Sequence, residues 1–358
     1  MNPAPRNTVI LGDAREQLRR LPESSVDCVV TSPPYFLLRD YGVATQIGLE
    51  DNVNAWVAEL RTVMAAVRRV LKPTGSLWLN LGDSYSRHLR YGAPPKSLLL
   101  GPERLVTALV EDGFILRSKC VWAKPNPLPS SVSDRLNTTW EPFYFLTKSP
   151  HYFFELDAIR VPHRSSRGPS SDETPLPTKR PDWAGPLAGS QSGLGRLKAV
   201  GMPGHVLGKN PGDVWTIATA GFRGRHFATF PPKLVERPIL ASCPERVCRK
   251  CGSPWQRERP ESAKQQSAER GENQLGFGGR ELATSERAEL RPTCSCKAGF
   301  VPGLVLDPFF GAGTVGIVAE QHGRDWLGIE LNRDYASLAR ARIADARRAP
   351  GEGQRRAG

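Results

Sequence analysis

The chain alternates short apolar runs with longer stretches in which apolar residues return every three or four positions. "NTVILGD" (7–13) predicts a strand ending at Gly12-Asp13, and "AREQLRRL" (14–21) has helical spacing. "SVDCVVT" (25–31) is a second apolar run. "NAWVAELRTVMAAVRRVL" (54–71) places Trp56, Leu60, Val63, Met64, Val67, Val70 and Leu71 on one helical stripe, stopped by Lys72-Pro73-Thr74-Gly75. "GSLWLNLGD" (75–83) is a nearly continuous apolar strand, "PERLVTALVEDG" (102–113) a helix with a glycine stop, and "FILRSKCVWAK" (114–124) a strand again. After a long gap, residues 303–348 read strand, glycine turn, helix, strand, helix. Strands that alternate with helices, and that are apolar on both faces, predict a mostly parallel sheet covered on both sides: an α/β fold of about seven strands.

Two stretches break the pattern. Residues 160–213 are rich in Pro, Gly, Ser and basic side chains, as a binding excursion or a linker would be. Residues 255–293 are polar and charged, and the tail beyond Arg347 is basic and glycine-rich. The predicted layout is therefore 1–159, 160–215, 216–242, 243–299 (a cysteine knuckle with a polar loop), 300–346, and a basic tail 347–358. No internal repeat is visible.

Composition narrows the class. The 358 residues allow one large domain or two ordinary ones, and the 34 glycines and 32 prolines imply many loops. The formal charge of +13 favours a polyanionic partner, although a basic composition alone could produce it. No apolar run is long enough for a bilayer, and no leader-like stretch precedes the first strand pattern, so no membrane partner is expected. Seven cysteines in such a chain suggest reduced thiols or metal ligands, and a cytoplasmic setting.

The candidate chemistry sits at strand ends. "VVTSPPY" ends an apolar strand on Thr31-Ser32-Pro33-Pro34-Tyr35. Proline fixes φ and pushes its predecessor to extended geometry, so Ser32 and Pro33 are both held extended in a stiff loop offering a hydroxyl, carbonyls and a ring. Taken alone, the string is equally a structural Pro-Pro turn. "LVLDPFFGAGTVG" (304–316) is a strand, then a glycine turn, then a helix, and "WLGIE" is a further strand ending in Glu330. Glycine permits close backbone approach to a ligand, and an acid ending the second strand of such a unit commonly takes ribose hydroxyls.

Together "TSPPY" and "DPFFGAGT" resemble the catalytic and cofactor motifs of amino-group DNA methyltransferases. Their order, catalytic motif first, is similar to the beta class, a circular permutation of the common Rossmann-like methyltransferase sheet. "GDAREQLRRLPESSVDCVVTSPPY", "VRRVLKPTGSLWLNLGD", "VWAKPNPLPSSVSDRLNTTWEPFYFLTKS" and "HFATFPPKLVERPI" also look like family blocks in family order. The resemblance implies S-adenosylmethionine as cofactor and double-stranded DNA as partner, with the target base flipped from the stack. Ser32 Oγ and the Pro33 carbonyl would accept from the exocyclic amino group, Pro34 would stiffen the loop, and Tyr35 would stack on the base. Cofactor contacts would come from Asp13, Thr31, Asp307, Phe309, Gly311, Gly313, Thr314 and Glu330, with Phe230 in a closing segment. Arg160, Arg164, Arg167, Lys179 and Arg180 would meet DNA in a target-recognition region. The same resemblance implies a nucleoid-associated or phage-encoded protein and admits a homodimer and a cognate restriction endonuclease as partners.

Ser rather than Asp before Pro-Pro-Tyr favours N4 of cytosine over N6 of adenine by family analogy, because both bases offer the same amino donor. Cys248-x2-Cys251 has the spacing of a zinc knuckle, and Cys294-x-Cys296 could complete a four-ligand site, with Cys243 as a spare. Free thiols are the alternative. Cys28 and Cys120 sit in strands as core residues. Rival readings are an RNA or protein methyltransferase on the same sheet, or a non-catalytic nucleic-acid module.

Overall fold

The computed structural model describes residues 3–162, 207–219, 230–257 and 289–348. The chain divides into two compact units, Glu155–Gly212 and the remainder. The larger unit carries the sheet and all the predicted catalytic and cofactor residues.

In chain order its elements are β1 Thr8–Leu11, α1 Ala14–Arg20, β2 Val26–Thr31, α2 Val53–Val70, β3 Leu71–Asn80, α3 Gly101–Glu111, β4 Ile115–Ala123, β5 Trp140–Thr147, β6 Val214–Thr216, α4 Pro232–Ser242, β7 Val247–Cys248, β8 Trp255–Arg257, β9 Leu290–Pro292, β10 Phe300–Val301, β11 Leu304–Asp307, α5 Thr314–Gln321, β12 Asp325–Glu330 and α6 Arg333–Arg348. Eight strands form one sheet in the order β1-β12-β11-β2-β3-β5-β4-β6. Every neighbouring pair is parallel except those involving β5, which runs against both β3 and β4. The α/β class and the mostly parallel sheet match expectation. The eighth strand is the short edge strand β6, whose three residues lie next to the irregular stretch.

The two-residue period of the strands divides the core. Leu77 and Leu79 of β3, Tyr144 and Leu146 of β5, and Leu327 and Ile329 of β12 point to the face covered by α1, α2 and α3. Trp78, Phe143, Phe145 and Trp326 point to the other face, covered by α4, α5 and α6. Helix α2 begins where the Asn52 side chain accepts from the Ala55 N–H, and it buries Trp56, Leu60, Val63, Met64 and Val67. Its stripe was legible because one apolar face on a helix of this length has only the sheet to bury against.

The smaller unit is described at its ends only. Val161 and Lys209 form an antiparallel bridge. The Arg160 guanidinium bonds Asp157 Oδ1 (2.5 Å) and the Gly208 carbonyl (3.1 Å). Arg160, expected on DNA, thus fastens its own unit; Arg164, Arg167, Lys179 and Arg180 lie outside the described residues. The expected start of this region at 160 and end at 215 become Glu155 and Gly212, since β6 belongs to the sheet. Among the described residues no helix is long and apolar enough to cross a membrane.

Candidate active site

Parallel strands bring their C-terminal ends to one edge of a sheet, and sheet order then sets side by side the residues at or just beyond those ends. Along β1, β12, β11, β2 and β3 this edge carries Asp13, Glu330, Asp307, Ser32 and Asn80 in turn. Antiparallel β5 brings its first residues to the same edge, which adds Glu141.

The two motif loops are joined directly. Thr31 Oγ1 donates to Asp307 Oδ1 at 2.7 Å, and the Phe309 N–H donates to the same oxygen at 3.0 Å. Asp307 is 1% exposed, and burial, aided by the nearby Glu330 charge, pushes its carboxyl up to about 7 although both hydrogen bonds oppose the shift. Glu330 is buried as well, which raises its carboxyl, and its two oxygens take the Gly311 N–H (2.7 Å) and the Asn332 N–H (2.8 Å). Gly311 and Gly313 have φ of 50° and 78°. A Cβ on Gly313 would come within 3.0 Å of Ala339 and within 3.3 Å of Phe310, so glycine is required there by backbone conformation and by packing against α6. Phe310 is core, stacked on Trp326 at 5.2 Å, whereas Phe309 is only partly buried. Thr314 opens α5 and is buried.

Asp13 has a structural task. Its Oδ1 accepts from the Arg15 N–H at 2.7 Å and caps α1, while the Arg15 guanidinium takes both oxygens. Burial raises its carboxyl, but the Arg15 bonds and charge outweigh this and hold it low. Of the block His226–Pro232 only Phe230, Pro231 and Pro232 are described; Phe230 packs against the core on the α4 side.

The catalytic loop is held from several sides. Trp56 Nε1 donates to the Pro34 carbonyl at 3.0 Å, Leu37 N–H to the Gly48 carbonyl at 2.7 Å, and Ser84 Oγ to the Phe36 carbonyl at 2.6 Å. Among the described residues no donor reaches the carbonyl of Pro33, a buried residue. The Tyr35 ring lies against the backbone of Gly82, where a Cβ would fall 2.5 Å from it.

Sequence reasoning missed a polar network beneath Ser32. Tyr35 OH donates to Glu141 Oε2 at 2.8 Å and lies 3.3 Å from Ser32 Oγ. Asn80 Oδ1 stands 3.4 Å from Ser32 Oγ, and Asn80 Nδ2 donates to Glu141 Oε2 and to the Pro142 carbonyl, both at 3.2 Å. Lys124 forms an ion pair with Glu141 and sits 4.5 Å from the centre of the Trp122 ring. Burial, then the Glu141 charge, holds the Tyr35 phenol protonated. The signal in the sequence was a polar residue inside an apolar run: Asn80 in "SLWLNL" and Glu141 in "TWEPFYF".

The four expected ligands Cys248, Cys251, Cys294 and Cys296 do come together, all four sulfurs lying within 4.8 Å of one another. Cys251 is pulled down to about 6, first by the Ser253 hydroxyl, and Cys296 is pushed up to about 12, first by Cys251. Cys243 does not join them: it is fully buried in the core, with its sulfur against the Pro244 carbonyl and the Gly303 backbone. Cys28 and Cys120 are buried in β2 and β4.

The DNA methylase family model, covering N6 and N4 methyltransferases, matches residues 26–248 and 294–341. The type II methyltransferase M.SmaI of Serratia marcescens is 33% identical over 356 residues, spanning 94% of this chain and 90% of that protein. M.Cfr9I of Citrobacter freundii is 33% identical over 358 residues, spanning 94% and 87%. Among solved structures, the PvuII DNA methyltransferase (cytosine-N4-specific) superposes with a TM-score of 0.54 at 18% identity, covering 96% of this chain and 92% of that one, a likeness of fold. With its methyltransferase fold, its two motif loops in register and this sequence match over most of its length, the chain belongs to the N4/N6 family of DNA methylases.

Proposed function

We propose that the protein methylates the exocyclic N4 of cytosine at specific sites in double-stranded DNA, in a cytoplasmic restriction-modification setting; the relatives it matches over most of its length are named type II methyltransferases. The observation that carries this is the Thr31–Asp307 hydrogen bond of 2.7 Å, which couples the Ser-Pro-Pro-Tyr loop to the glycine turn.

The residues present fit S-adenosylmethionine. Each Glu330 oxygen accepts one backbone N–H and retains a lone pair for a ribose hydroxyl. Asp307 Oδ1 is engaged, leaving Oδ2 as the acidic atom for a cationic ligand. Thr31, Phe309, Gly311, Gly313 and Thr314 form the surround, and Phe230 is the closing candidate. Asp13 would act through α1 and Arg15. When bound, S-adenosylmethionine would supply a sulfonium-activated methyl group to the target nitrogen.

The chain's own part is to hold the nitrogen. Tyr35 has one hydroxyl proton and gives it to Glu141. Its oxygen, or Asn80 Oδ1, then receives the Ser32 proton, so the Ser32 lone pairs remain for the amino group. The Pro33 carbonyl takes the second amino hydrogen. Two acceptors on one NH2 localise the nitrogen lone pair and aim it, a positioning effect that the prolines make rigid. The Tyr35 face away from Gly82 is left for stacking. The choice of cytosine rests on family analogy at Ser32, since both bases offer the same amino donor. The four cysteines take no part in transfer. Site preference is assigned to the 164–205 segment.

The test is transfer of labelled methyl from S-adenosylmethionine to duplex DNA, followed by digestion to nucleosides. N4-methylcytosine is the expected product; N6-methyladenine would overturn the choice of base, and label on RNA alone would overturn the DNA assignment.

A further inference from the structure

Two small two-stranded sheets lie at the edge opposite the transfer site. Antiparallel β7 and β10 pair Cys248 with Phe300 and Val247 with Val301; β8 and β9 pair Trp255 with Pro292. Between them the chain makes a tight turn. Gly252 N–H donates to the Cys248 carbonyl (2.9 Å), Cys248 N–H donates to the Ser253 carbonyl (2.8 Å), and Gly252 sits at φ 73°. The second pair of sulfurs comes after β9. Two unrelated turns thus deliver four sulfurs to one point, within 4.8 Å of one another. A tetrahedral zinc with bonds of about 2.3 Å has sulfurs about 3.8 Å apart, so the widest separation need contract by no more than about 1 Å.

The turn also touches the core. Lys72 Nζ donates to the Gly252 carbonyl at 3.3 Å and pairs with Asp27 Oδ1 at 2.7 Å. The other Asp27 oxygen accepts the Leu304 N–H at 2.9 Å. The Asp27 and Lys72 side chains are 2% and 11% exposed. Asp27 is near the start of β2 and Leu304 opens β11, the strands whose far ends carry Ser32 and Asp307. We propose that Cys248, Cys251, Cys294 and Cys296 hold one structural zinc ion as thiolates, and that this clamp, through Gly252, Lys72 and Asp27, fixes β2 against β11 at the end remote from the chemistry. The metal orders the frame and touches no substrate. The inference is independent of which base is methylated.

The experiment uses the full chain purified with a thiol reductant and no chelator. Metal analysis should find about one zinc per chain, and replacement with cobalt(II) should give the intense visible and near-ultraviolet bands of a tetrahedral thiolate site. Cys251→Ser should weaken those bands. Removing zinc with a chelator should lower the melting temperature and speed amide exchange, read by mass spectrometry, in peptides covering 26–31 and 304–307. A metal-free protein that gives no cobalt bands, or one whose four cysteines are oxidised as isolated, overturns the site. A zinc-bound protein whose exchange in those two peptides is unchanged on metal removal overturns the clamp.

Discussion

Asp307→Asn separates a functional charge from its structural cost. The carboxyl moves from an ordinary 3.8 to about 7 in the folded chain, first through burial. A carboxyl raised in this way binds its proton in the folded state and not in the unfolded state between those two values. Folding stability is therefore highest at low pH, falls as pH rises through the window, and is fully reduced above about 7. At 1.36 kcal/mol per unit the penalty is about 4 kcal/mol, of which about 2–3 kcal/mol should develop between pH 5 and 8. Asparagine keeps an oxygen for the Thr31 hydroxyl and the Phe309 N–H and removes the ionisation. Urea unfolding at several pH values should show wild type losing stability relative to the variant by that amount as pH rises. Other acids with raised values, Glu330 among them, remain in both proteins and largely cancel in the difference. Saturating S-adenosylmethionine, which brings positive charge, should flatten the wild-type slope, and its affinity for wild type should rise more steeply through pH 7 than that of the variant, which lacks the Asp307 ionisation. Parallel stability curves for the two proteins would refute a buried, proton-linked Asp307.

Ser32→Ala should lose most turnover with cofactor affinity unchanged, and Tyr35→Phe should slow single-turnover transfer by up to about tenfold, the worth of one hydrogen bond; equilibrium dialysis and rapid quench would read the two quantities. Glu330→Ala should weaken S-adenosylmethionine binding by about 1–3 kcal/mol in calorimetry and also lower the unfolding midpoint, because the Gly311 and Asn332 N–H groups lose their acceptor. Replacing residues 164–205 with a neutral linker should abolish discrimination between target and scrambled duplexes while leaving cofactor binding intact, and trimming the tail beyond Arg347 should flatten the salt dependence of all DNA binding; methylation that stays confined to one site in the linker variant would move recognition elsewhere.

The parallel half of the sheet was readable because its strands are apolar on both faces and stop at glycine or proline. The antiparallel β5 was not marked as a strand: "WEPFYFLT" is aromatic and carries Pro142, and only its partners β3 and β4 on either side make it central. β6 has three residues and no periodicity of its own. Helix α4 hides behind Pro232 and an internal Pro238, residues that in sequence read as breakers. For the candidate site, the sequence singled out residues inside motifs and passed over those between them. Asn80 and Glu141 are functional candidates only because the fold carries the ends of β3 and β5 to Ser32. Arg160 illustrates the converse: its charge suggested phosphate, and within the chain it bonds Asp157 and a carbonyl. Charge is visible in a sequence; the identity of its partner is not.

The pair of prolines is best understood through what the fold does to the two carbonyls beside them. Both are acceptors on a loop that cannot rearrange, so both are equally available in sequence. Trp56, buried on α2, donates its indole N–H to the Pro34 carbonyl and removes it from use. The Pro33 carbonyl has no such donor among the described residues. On the side-chain level the same selection recurs: Tyr35 OH donates to Glu141 Oε2, which leaves the Tyr35 oxygen to accept from Ser32 Oγ in the proposed arrangement. The two selections leave the Pro33 carbonyl and the Ser32 hydroxyl oxygen, from adjacent residues, open among the described residues. An exocyclic amino group has two hydrogens to match them; a ring N–H has one and a ribose hydroxyl has one. On the proposed reading, Trp56 and Glu141, rather than the motif itself, decide which acceptors face the target, and Ser32 Oγ with the Pro33 carbonyl match the two hydrogens of an NH2 group.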